Sequence, residues 1–475
     1  MCSAVTVETI EELKAQHAKE LAERDARIAA LEKQVAELRE KLNQNSSNSN
    51  KPPSTESPAE RLQRRARELA REKKRKSDEK KKTRGGQPGH KGAQRALVPA
   101  DEVDEVVDHF PSECENCWAT LPEVVDTDAQ RSQTWELPPI VPEVIEHRFH
   151  SVACPCCVHV TAAPFMPPPT FGPRVHALVA TLTGSYHLSR RKTASLLSSM
   201  MGLTMSLGAV SDIEARVSKS LERAVEEAWA RVGDDCVKHS DGTSWYQCGV
   251  LVALWTIATK AATVFKIVAN GDAKTLKMML GDTGTLVSDR ASALKFWAMH
   301  RRQICWAHLL RKFVLFSERG GKSKTLGDEL LDYAKWMFDY WHRVKNGEMK
   351  RERFRELMVP IRARIEALLA QGEAAKIKGL SGSCEDILEH RAALWAFVDR
   401  DDLEPTNNHG ERELRAFVLW RKTSQGTQSE RGNKFAERMM TVTQTARKQN
   451  KNVFDFVVAT YTAAVAGTQR PSLFS

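Results

Sequence analysis

Residues 237–268 have the sequence VKHSDGTSWYQCGVLVALWTIATKAATVFKIV, and this stretch decides the fold. It contains three strand-like runs, rich in β-branched and aromatic residues, at residues 237–241, 248–257 and 263–268. Short segments with turn residues separate the runs. We therefore expect three adjacent strands, the first of which ends at Asp241.

Beyond residue 268 the chain alternates between helix-like and strand-like segments. The helix-like segments are residues 272–280, 291–299 and 308–317, and the strand-like ones are residues 285–288 and 303–306. Three adjacent strands followed by such alternation predict an α/β domain with a mixed sheet. This order matches the ribonuclease-H-like fold, whose first part we place at residues 233–319 and whose last part, with C-terminal helices, we place at residues 403–475.

Residues 320–402, between those two parts, have a helical pattern without clear strands. The pattern contains these large apolar residues: Trp336, Phe338, Trp341, Leu368, Leu369, Leu394 and Trp395. We interpret them as the core of an all-helical insertion rather than as a surface on which nucleic-acid bases stack.

Two aspartates occupy neighbouring places in the predicted sheet. Asp241 ends the first strand and Asp289 directly follows the fourth, so the fold brings them side by side. Carboxylates are the hard oxygen ligands that Mg²⁺ prefers, and two ions held in this way promote in-line displacement at phosphorus. Each aspartate also has a structural alternative, because Asp241-Gly242 is a common turn dipeptide and Asp289 could cap a following helix.

Residues 170–232 predict two helices around a glycine. Ser189 can cap the first helix, Gly202 ends it, and Ser206 can cap the second. The first turn contains three basic residues: Arg190, Arg191 and Lys192. This pattern is compatible with a helix-turn-helix that contacts DNA phosphates, and a plain helical connector would have the same pattern.

Residues 98–165 contain short β-like pieces, many prolines and two C-x-x-C motifs. The motifs supply four candidate ligands for one tetrahedral Zn²⁺: Cys114, Cys117, Cys154 and Cys157. A segment with so few core residues needs a metal to hold it together, so we predict a small β-rich zinc-binding domain. Cys156 leaves the fourth ligand slightly ambiguous, and the alternative is a set of incidental thiols.

Residues 1–45 predict a coiled coil, because apolar residues recur with alternating three- and four-residue steps between Val7 and Leu42. Lys14, His17 and Arg24 interrupt this seam. A single helix cannot bury such a seam, so we expect a homodimer or higher oligomer. The alternative is an intramolecular hairpin against another helix.

Residues 46–97 form a polar linker followed by a basic arm. Residues 51–95 contain 16 Lys and Arg against 6 Asp and Glu, which accounts for the whole net charge of +10. A concentrated basic arm on an otherwise balanced chain suggests a polyanion partner such as DNA. The alternative is a solubilising linker.

The composition restricts the class of protein. A chain of 475 residues suggests about three domains. It has no run of about 18 uncharged apolar residues and no secretory signal, so we expect no membrane span and a location in the cytoplasm. Ten cysteines in that compartment do not indicate disulfides.

Seven motifs carry a resemblance to a known family. They are LNQNSSNSNKPPS (42–54), RGGQPGHKG (84–92), CENC (114–117), CPCC (154–157), SDGTSW (240–245), CWAHLLRKF (305–313) and EPTNNHGERELR (404–415). In this order they closely resemble the insertion sequence sixty-six family of bacterial transposases. The resemblance implies a DDE-type transposase that cleaves transposon ends and joins them to target DNA.

The resemblance also implies a site and partners. The family's catalytic acids map onto Asp241, Asp289 and Glu411, which would hold Mg²⁺ or Mn²⁺. The basic residues around Glu411 could clamp DNA phosphates or merely form an exposed helix face: Arg412, Arg415, Arg421 and Lys422. Relatives typically travel with two small accessory proteins, and when bound to DNA the protein would lie at the nucleoid.

Some alternatives remain open at this stage. Glu411 lies three residues after Asn408, so it could belong to a capping box at the start of its own helix. Many relatives have an acid where Gly242 stands here, and many have glycine where Arg290 stands, so the loop after Asp289 departs from the family pattern. The motif Cys305-x-x-His308 resembles half a metal site; we expect Cys305 to be buried and leave His308 unassigned. Rival functions are a nuclease or resolvase of the same fold and an inactive DNA-binding copy.

Overall fold

The computed structural model describes residues 7–46, 48–49, 56–57, 59–62, 65–66 and 95–474. Most of the predicted basic arm lies outside these residues. The strands are β1 (Ser151–Ala153), β2 (Val160–Ala162), β3 (Val237–Gln247), β4 (Val250–Ala258), β5 (Thr263–Val268), β6 (Thr285–Ser288) and β7 (Arg302–Ile304). The helices are α1 (Val7–Asn43), α2 (Pro173–Ala180), α3 (Arg190–Met201), α4 (Leu207–Ser220), α5 (Glu222–Asp234), α6 (Ala273–Leu280), α7 (Trp306–Arg319), α8 (Gly321–Lys345), α9 (Arg351–Ala374), α10 (Ser381–Glu389), α11 (Arg391–Leu394), α12 (Ala396–Asp399), α13 (Asn408–Ser424), α14 (Glu430–Lys448) and α15 (Val453–Ala466).

A five-stranded sheet has the order β5-β4-β3-β6-β7. The strands β3, β4 and β5 pair antiparallel in turn, β6 pairs parallel with β3, and β7 pairs parallel with β6. This confirms the predicted mixed sheet. The prediction that β3 ends at Asp241 is wrong, because β3 continues to Gln247 and pairs there with Val250. Cys248 and Gly249, assigned to the next strand from sequence, form the tight turn between them with positive φ angles of 50° and 77°.

The predicted helix caps before the sheet are present. Ser189 Oγ accepts a hydrogen bond from the Lys192 N–H (3.3 Å), and Ser206 Oγ accepts one from the Ala209 N–H (3.1 Å). Gly202 ends α3 in the left-handed conformation, with φ of 64°, which glycine adopts at least cost. Contact between this region and DNA stays a prediction.

The predicted helix over residues 291–299 is wrong. Two short 3₁₀ turns, Ser292–Leu294 and Met299–Arg301, stand there instead. The Leu294 carbonyl accepts the Trp297 N–H (3.1 Å) in a 3₁₀ pattern and also the guanidinium of the buried Arg302 (3.1 Å). The Ala298 N–H, which would continue an α-helix, is not its partner.

The N-terminal helix α1 is continuous over 37 residues, about 55 Å. Its described apolar residues are exposed: Leu21, Ile28, Leu31, Val35, Leu38 and Leu42. The helix is present as predicted, and its pairing with another helix stays a prediction. Among the described residues, no helix is both long and apolar enough to cross a membrane.

Two hydrophobic cores support the structure. One packs α2–α6 and α13–α15 against the sheet, and the other fills the helices α7–α12. The second core contains most of the apolar residues predicted for the insertion, and Trp395 is 1% exposed. Trp336 is an exception, because it is 50% exposed.

A ladder of side chains from α14 protects the edge strand β5. The N–H groups of Thr263, Phe265 and Ile267 point away from β4 and would lack partners in the sheet. They donate in turn to Thr445 Oγ1 (3.1 Å), Thr441 Oγ1 (3.2 Å) and Glu437 Oε1 (2.7 Å). The three acceptors follow one another at four-residue spacing, so they lie on one face of the helix.

Replacing Thr441 by Val keeps the shape and removes the acceptor of the Phe265 N–H. A buried N–H without a partner costs roughly 1–3 kcal/mol, so we expect a lower melting temperature and faster amide exchange in β5. The exposed Thr462 on α15 provides the control, Thr462→Val. Equal exchange in β5 for both variants would show that the ladder does not stabilise this edge.

Candidate active site

Asp241 and Asp289 lie side by side because of the register of β3 and β6. Val237 pairs with Thr285, an offset of 48 residues, and Asp289 follows Asp241 by the same 48 residues. Asp241 lies within the central strand β3, and Asp289 comes directly after β6. The turn alternative for Asp241 is therefore wrong. Asp289 has a local role as well, since its Oδ1 accepts the Ala291 N–H (2.9 Å).

Glu411 reaches the same place from α13, where it lies in the first turn. The capping-box alternative is wrong, because α13 begins after Asn407 and no side chain caps it. We call Asp241, Asp289 and Glu411 together the acid cluster. Glu411 lies beyond the helical insertion in sequence, yet its charge acts on Asp241 and that of Asp289 acts on both. The ligand oxygens of these three described residues do not all lie within 4.8 Å of one another.

The electrostatics of the acid cluster show that its members are close. Burial, together with the charges of Asp289 and Glu411, raises the pKa of Asp241 to about 8. Burial also raises the pKa of Glu411, where Asp289 adds to the increase and Arg311 opposes it. Like charges that repel in a partly buried space are stabilised by a cation.

Asn407 holds α13 against the sheet, and the sequence analysis did not identify it. It is fully buried. Its Nδ2 donates to the Ser240 carbonyl (2.8 Å), directly before Asp241, and its Oδ1 lies 3.1 Å from His239 Nδ1. The N–H of Asn407 donates to Cys305 Sγ (3.2 Å). One residue therefore connects the strand of Asp241, the end of β7 and the helix of Glu411.

The C-x-x-H motif faces the acid cluster from the start of α7. Cys305 is buried as expected, and its Sγ lies 3.9 Å from Glu411 Oε1. His308 Nδ1 lies 3.8 Å from the same oxygen, and it is a buried atom without a hydrogen-bond partner. Burial lowers the pKa of His308 to about 4, and the charge of Arg311 acts in the same direction.

These residues fit a divalent cation. Three carboxylates supply hard oxygen donors, their mutual repulsion is relieved by positive charge, and the buried His308 Nδ1 lacks any partner within the protein. Asp241, Asp289 and Glu411 would hold the metal. The sequence predicted this set from the fold pattern and the family motifs together.

Arg290 connects the helical insertion to the loop after Asp289. Its guanidinium is 10% exposed and pairs with Asp386 on α10 (2.6 Å). Lys295, in the same loop, pairs with Glu389 at the end of α10 (3.1 Å). The residue that departs from the family pattern is thus accommodated by an ion pair with the insertion.

The predicted DNA-binding residues are distributed over two regions. Arg191 and Lys192 on α3, and Arg412, Arg415 and Lys422 on α13, are exposed. Arg190 pairs with Glu214 of α4 (2.6 Å). Arg421 donates to Thr243 Oγ1 (3.1 Å) and to Ser244, so it is already bound to β3. The exposed residues have side chains available for a phosphate, whereas Arg190 and Arg421 also stabilise the fold.

The two C-x-x-C motifs form matching knuckles. The Cys114 N–H donates to the Ala119 carbonyl (2.9 Å) and the Cys154 N–H donates to the His159 carbonyl (2.8 Å). Hydrogen bonds from the backbone of Asn116 lower the pKa of Cys114, and those from the backbone of Cys157 lower that of Cys154. Both effects favour the thiolate that binds zinc.

The four predicted zinc ligands are not gathered into one shell. Among the described residues, the only groups with three or more potential ligand atoms within 4.8 Å involve other side chains. None of residues 95–175 is buried, so no hydrophobic core draws the two knuckles together. Thiolates in two preformed knuckles fit Zn²⁺, which would supply the missing link.

An acid cluster beside a mixed sheet, together with paired cysteine knuckles, is typical of proteins that process nucleic acids. Two profiles of known protein families identify the class of protein. The sequence profile described as "Transposase IS66 family" matches residues 169–435, more than half of the chain, and that for the "zinc-finger binding domain of transposase IS66" matches residues 111–158. The chain belongs to the Transposase IS66 family. A family of unknown function matches residues 4–96.

A relative is the "Uncharacterized protein y4qI" of Sinorhizobium fredii (strain NBRC 101917 / NGR234). It is 29% identical over 167 residues, which are 34% of this chain and 31% of that protein. The chain thus matches about a third of the length of this relative. The zinc-finger family supports Zn²⁺ binding by the knuckle segment.

The raised pKa of Asp241 makes stability depend on pH when Mg²⁺ and Mn²⁺ are absent. The folded protein keeps a proton that the unfolded chain releases above a pKa of 3.8, so stability falls as the pH rises from about 4 to about 8. Asp241→Asn keeps a neutral group there. We expect the free energy of unfolding of this variant to exceed that of wild type at pH 8 by on the order of a few kcal/mol. The difference, measured by thermal or denaturant unfolding, should shrink towards pH 5.

Glu404→Gln serves as the control, since Glu404 is a half-exposed carboxylate that pairs with Lys345 (2.8 Å). Its melting temperature relative to wild type should change little between pH 5 and pH 8. If the difference in stability between Asp241→Asn and wild type is the same at both pH values, the burial of Asp241 and its repulsion by the other two acids do not raise its pKa.

Zinc content tests the ligand set of the knuckles. We expect one Zn²⁺ per chain by elemental analysis, a loss of zinc in Cys154→Ser or Cys157→Ser, and full content in Cys156→Ser. Cys156 is the matched control because it lies in the same knuckle. Loss of zinc in Cys156→Ser together with retention in Cys157→Ser would show that Cys156 is the fourth ligand. Wild-type protein without stoichiometric zinc would refute the zinc site.

Proposed function

We propose that the chain is a DDE-type transposase, which cleaves transposon-end DNA and transfers the strand into target DNA with divalent metal ions held by the acid cluster. The observation that carries the proposal is the convergence of the acid cluster from three segments. Local structure does not require it, and the repulsion among these carboxylates opposes it. Metal-dependent phosphoryl transfer does require it.

The sheet supports assignment to the ribonuclease-H-like fold. In that fold three antiparallel strands are followed by two parallel ones, and here the order β5-β4-β3-β6-β7 has that arrangement. The acids lie on the first strand and after the fourth, as expected. Residues 233–319 and 403–475 then form the two parts of the catalytic core, and residues 320–402 form the insertion.

The chemistry divides between the ions and the protein. Asp241, Asp289 and Glu411 would hold divalent ions, whose positive charge would activate the attacking oxygen and stabilise the leaving one. Asp241 and Asp289 hold their positions through the strand register, and Glu411 holds its position through Asn407. Hydrolysis frees a 3′ hydroxyl, which then displaces another 3′ oxygen from a target phosphate, so each joining step conserves the number of phosphodiester bonds.

A groove between the C-terminal ends of β3 and α13 supports DNA contact with this face of the protein. It has a volume of about 580 Å³, and its lining includes Tyr246, Arg421, Lys422 and Gln428. Arg412 and Arg415, on the same helix, are exposed. Arg412 and Arg415 flank Glu411 in the first turns of α13, and Lys422 lies about three turns further along, so these cations would bind phosphates along the helix.

Assembly on two DNA ends is part of the proposal. The exposed apolar residues of α1 support self-association, because a second helix packed on the part of the seam from Ile28 to Leu42 would remove them from water. The basic arm at residues 51–95 would add sequence-independent affinity for DNA. Small accessory proteins of the same element are further expected partners.

Cleavage of a labelled duplex tests the function. The duplex should carry the terminal repeat that flanks the gene, with Mg²⁺ or Mn²⁺ present. We expect Asp241→Ala, Asp289→Ala and Glu411→Ala each to reduce cleavage at least about a thousandfold, a barrier increase near 4 kcal/mol, and to retain DNA binding.

Glu404→Ala and Glu413→Ala are the controls. Glu404 is half exposed, and Glu413 lies on α13 but pairs with Lys448 (3.4 Å) instead of joining the acid cluster. Glu404→Ala should cleave like wild type. Glu413→Ala should lower the melting temperature, while the folded protein should still cleave DNA. Cleavage by Glu411→Ala would refute the third acid. If the wild-type protein cleaves strands without joining them, the chain is a nuclease. If it binds DNA without cleaving it, the chain is an inactive relative.

A further inference from the structure

The Cys305, His308 and Glu411 side chains form a group of mixed donors at the junction of β7, α7 and α13. Their potential ligand atoms all lie within 4.8 Å of one another. Among the described residues one other such group exists, Asp386, Glu389 and His390. The acids of that second group already pair with Arg290 and Lys295, so its charges are satisfied.

The geometry at His308 is that of an unoccupied ligand. Its Nδ1 is buried without a hydrogen-bond partner, and it faces Glu411 Oε1 at 3.8 Å, too far for a hydrogen bond. Two coordination bonds of about 2.1 Å would span up to about 4.2 Å between the donors, so one ion can bind both atoms. A buried polar atom normally has a partner, and here a metal would supply it.

Cys305 has a different role in this group. Its sulfur accepts the Asn407 N–H (3.2 Å) and lies 3.9 Å from Glu411 Oε1. It thus positions the start of α13, and its side chain is fully buried behind Glu411. His308 keeps a side-chain exposure of 15% and lies one helical turn further along α7. Of the two, His308 is the one that is free to bind an ion.

We propose that His308 is a nitrogen ligand of the divalent ion that Glu411 holds, so that this site has mixed oxygen and nitrogen donors. The inference rests on the proposed metal-dependent function. An imidazole ligand favours transition metals over Mg²⁺, which is a hard ion that prefers oxygen. His308 therefore sets the metal preference of the site: its removal lowers the affinity for Mn²⁺ more than that for Mg²⁺.

Pulsed electron paramagnetic resonance of Mn²⁺ tests this directly. The zinc-loaded full-length protein is titrated with Mn²⁺ without DNA, and nuclear modulation of the electron spin echo reports nitrogen bound to the ion. We expect nitrogen modulation in wild type that changes when histidine is labelled with ¹⁵N. We expect it to vanish in His308→Gln, with Mn²⁺ affinity reduced at least about tenfold.

His300→Gln is the control, because His300 is an exposed histidine before β7. It should keep the modulation and the affinity. If His308→Gln does not fold, the ¹⁵N substitution in wild type still decides whether any histidine binds Mn²⁺. Bound Mn²⁺ without histidine modulation, or modulation that survives in folded His308→Gln, overturns the proposal.

Asp241→Asn and Glu411→Gln separate this inference from the proposed function. Both should weaken Mn²⁺ binding. If neither does, the acid cluster does not hold the ion, and the proposed function fails together with the inference. If both do while His308→Gln binds Mn²⁺ like wild type, only the role of His308 is refuted.

Discussion

Repulsion among three carboxylates is the constraint around which the catalytic part of this protein is arranged. Two of them, Asp241 and Asp289, are held by strand register, because β3 and β6 pair at the offset that separates the two residues. The third, Glu411, is held by a buried amide, because Asn407 binds the backbone of β3. The strand pairing and the buried Asn407 amide thus oppose a repulsion that would otherwise move the acids apart.

The elements that depend on neighbouring residues could be predicted from the sequence. Ser189, Ser206 and Asp272 cap their helices through N–H groups three residues further on, a chemistry that is visible in the local pattern. The strands β5 and β6 also have the predicted bounds, because each is a short run of apolar residues bounded by turn signals.

The parts that depend on distant residues could not be predicted. Asn407 binds Ser240, which is 167 residues away in sequence, and no local pattern shows that contact. Arg302 binds the carbonyl of Leu294, eight residues before it, in a segment whose local pattern predicted a helix. The acid pair followed from the fold pattern, whereas Glu411 needed the family motif, because a helix that arrives after a long insertion has no register with the sheet.

The chain leaves the sheet towards the helical insertion and returns from it at the same place, beside β7. The Trp306 N–H, at the start of α7, donates to the Pro405 carbonyl (2.9 Å), two residues before Asn407. The intervening helices form most of a second hydrophobic core, and their two ends meet at this hydrogen bond beside β7. The distance between those ends is therefore set by the bond and not by the number of residues in the helices. A change of length within the helices can leave the strand and the helix that continue from the two ends where they are.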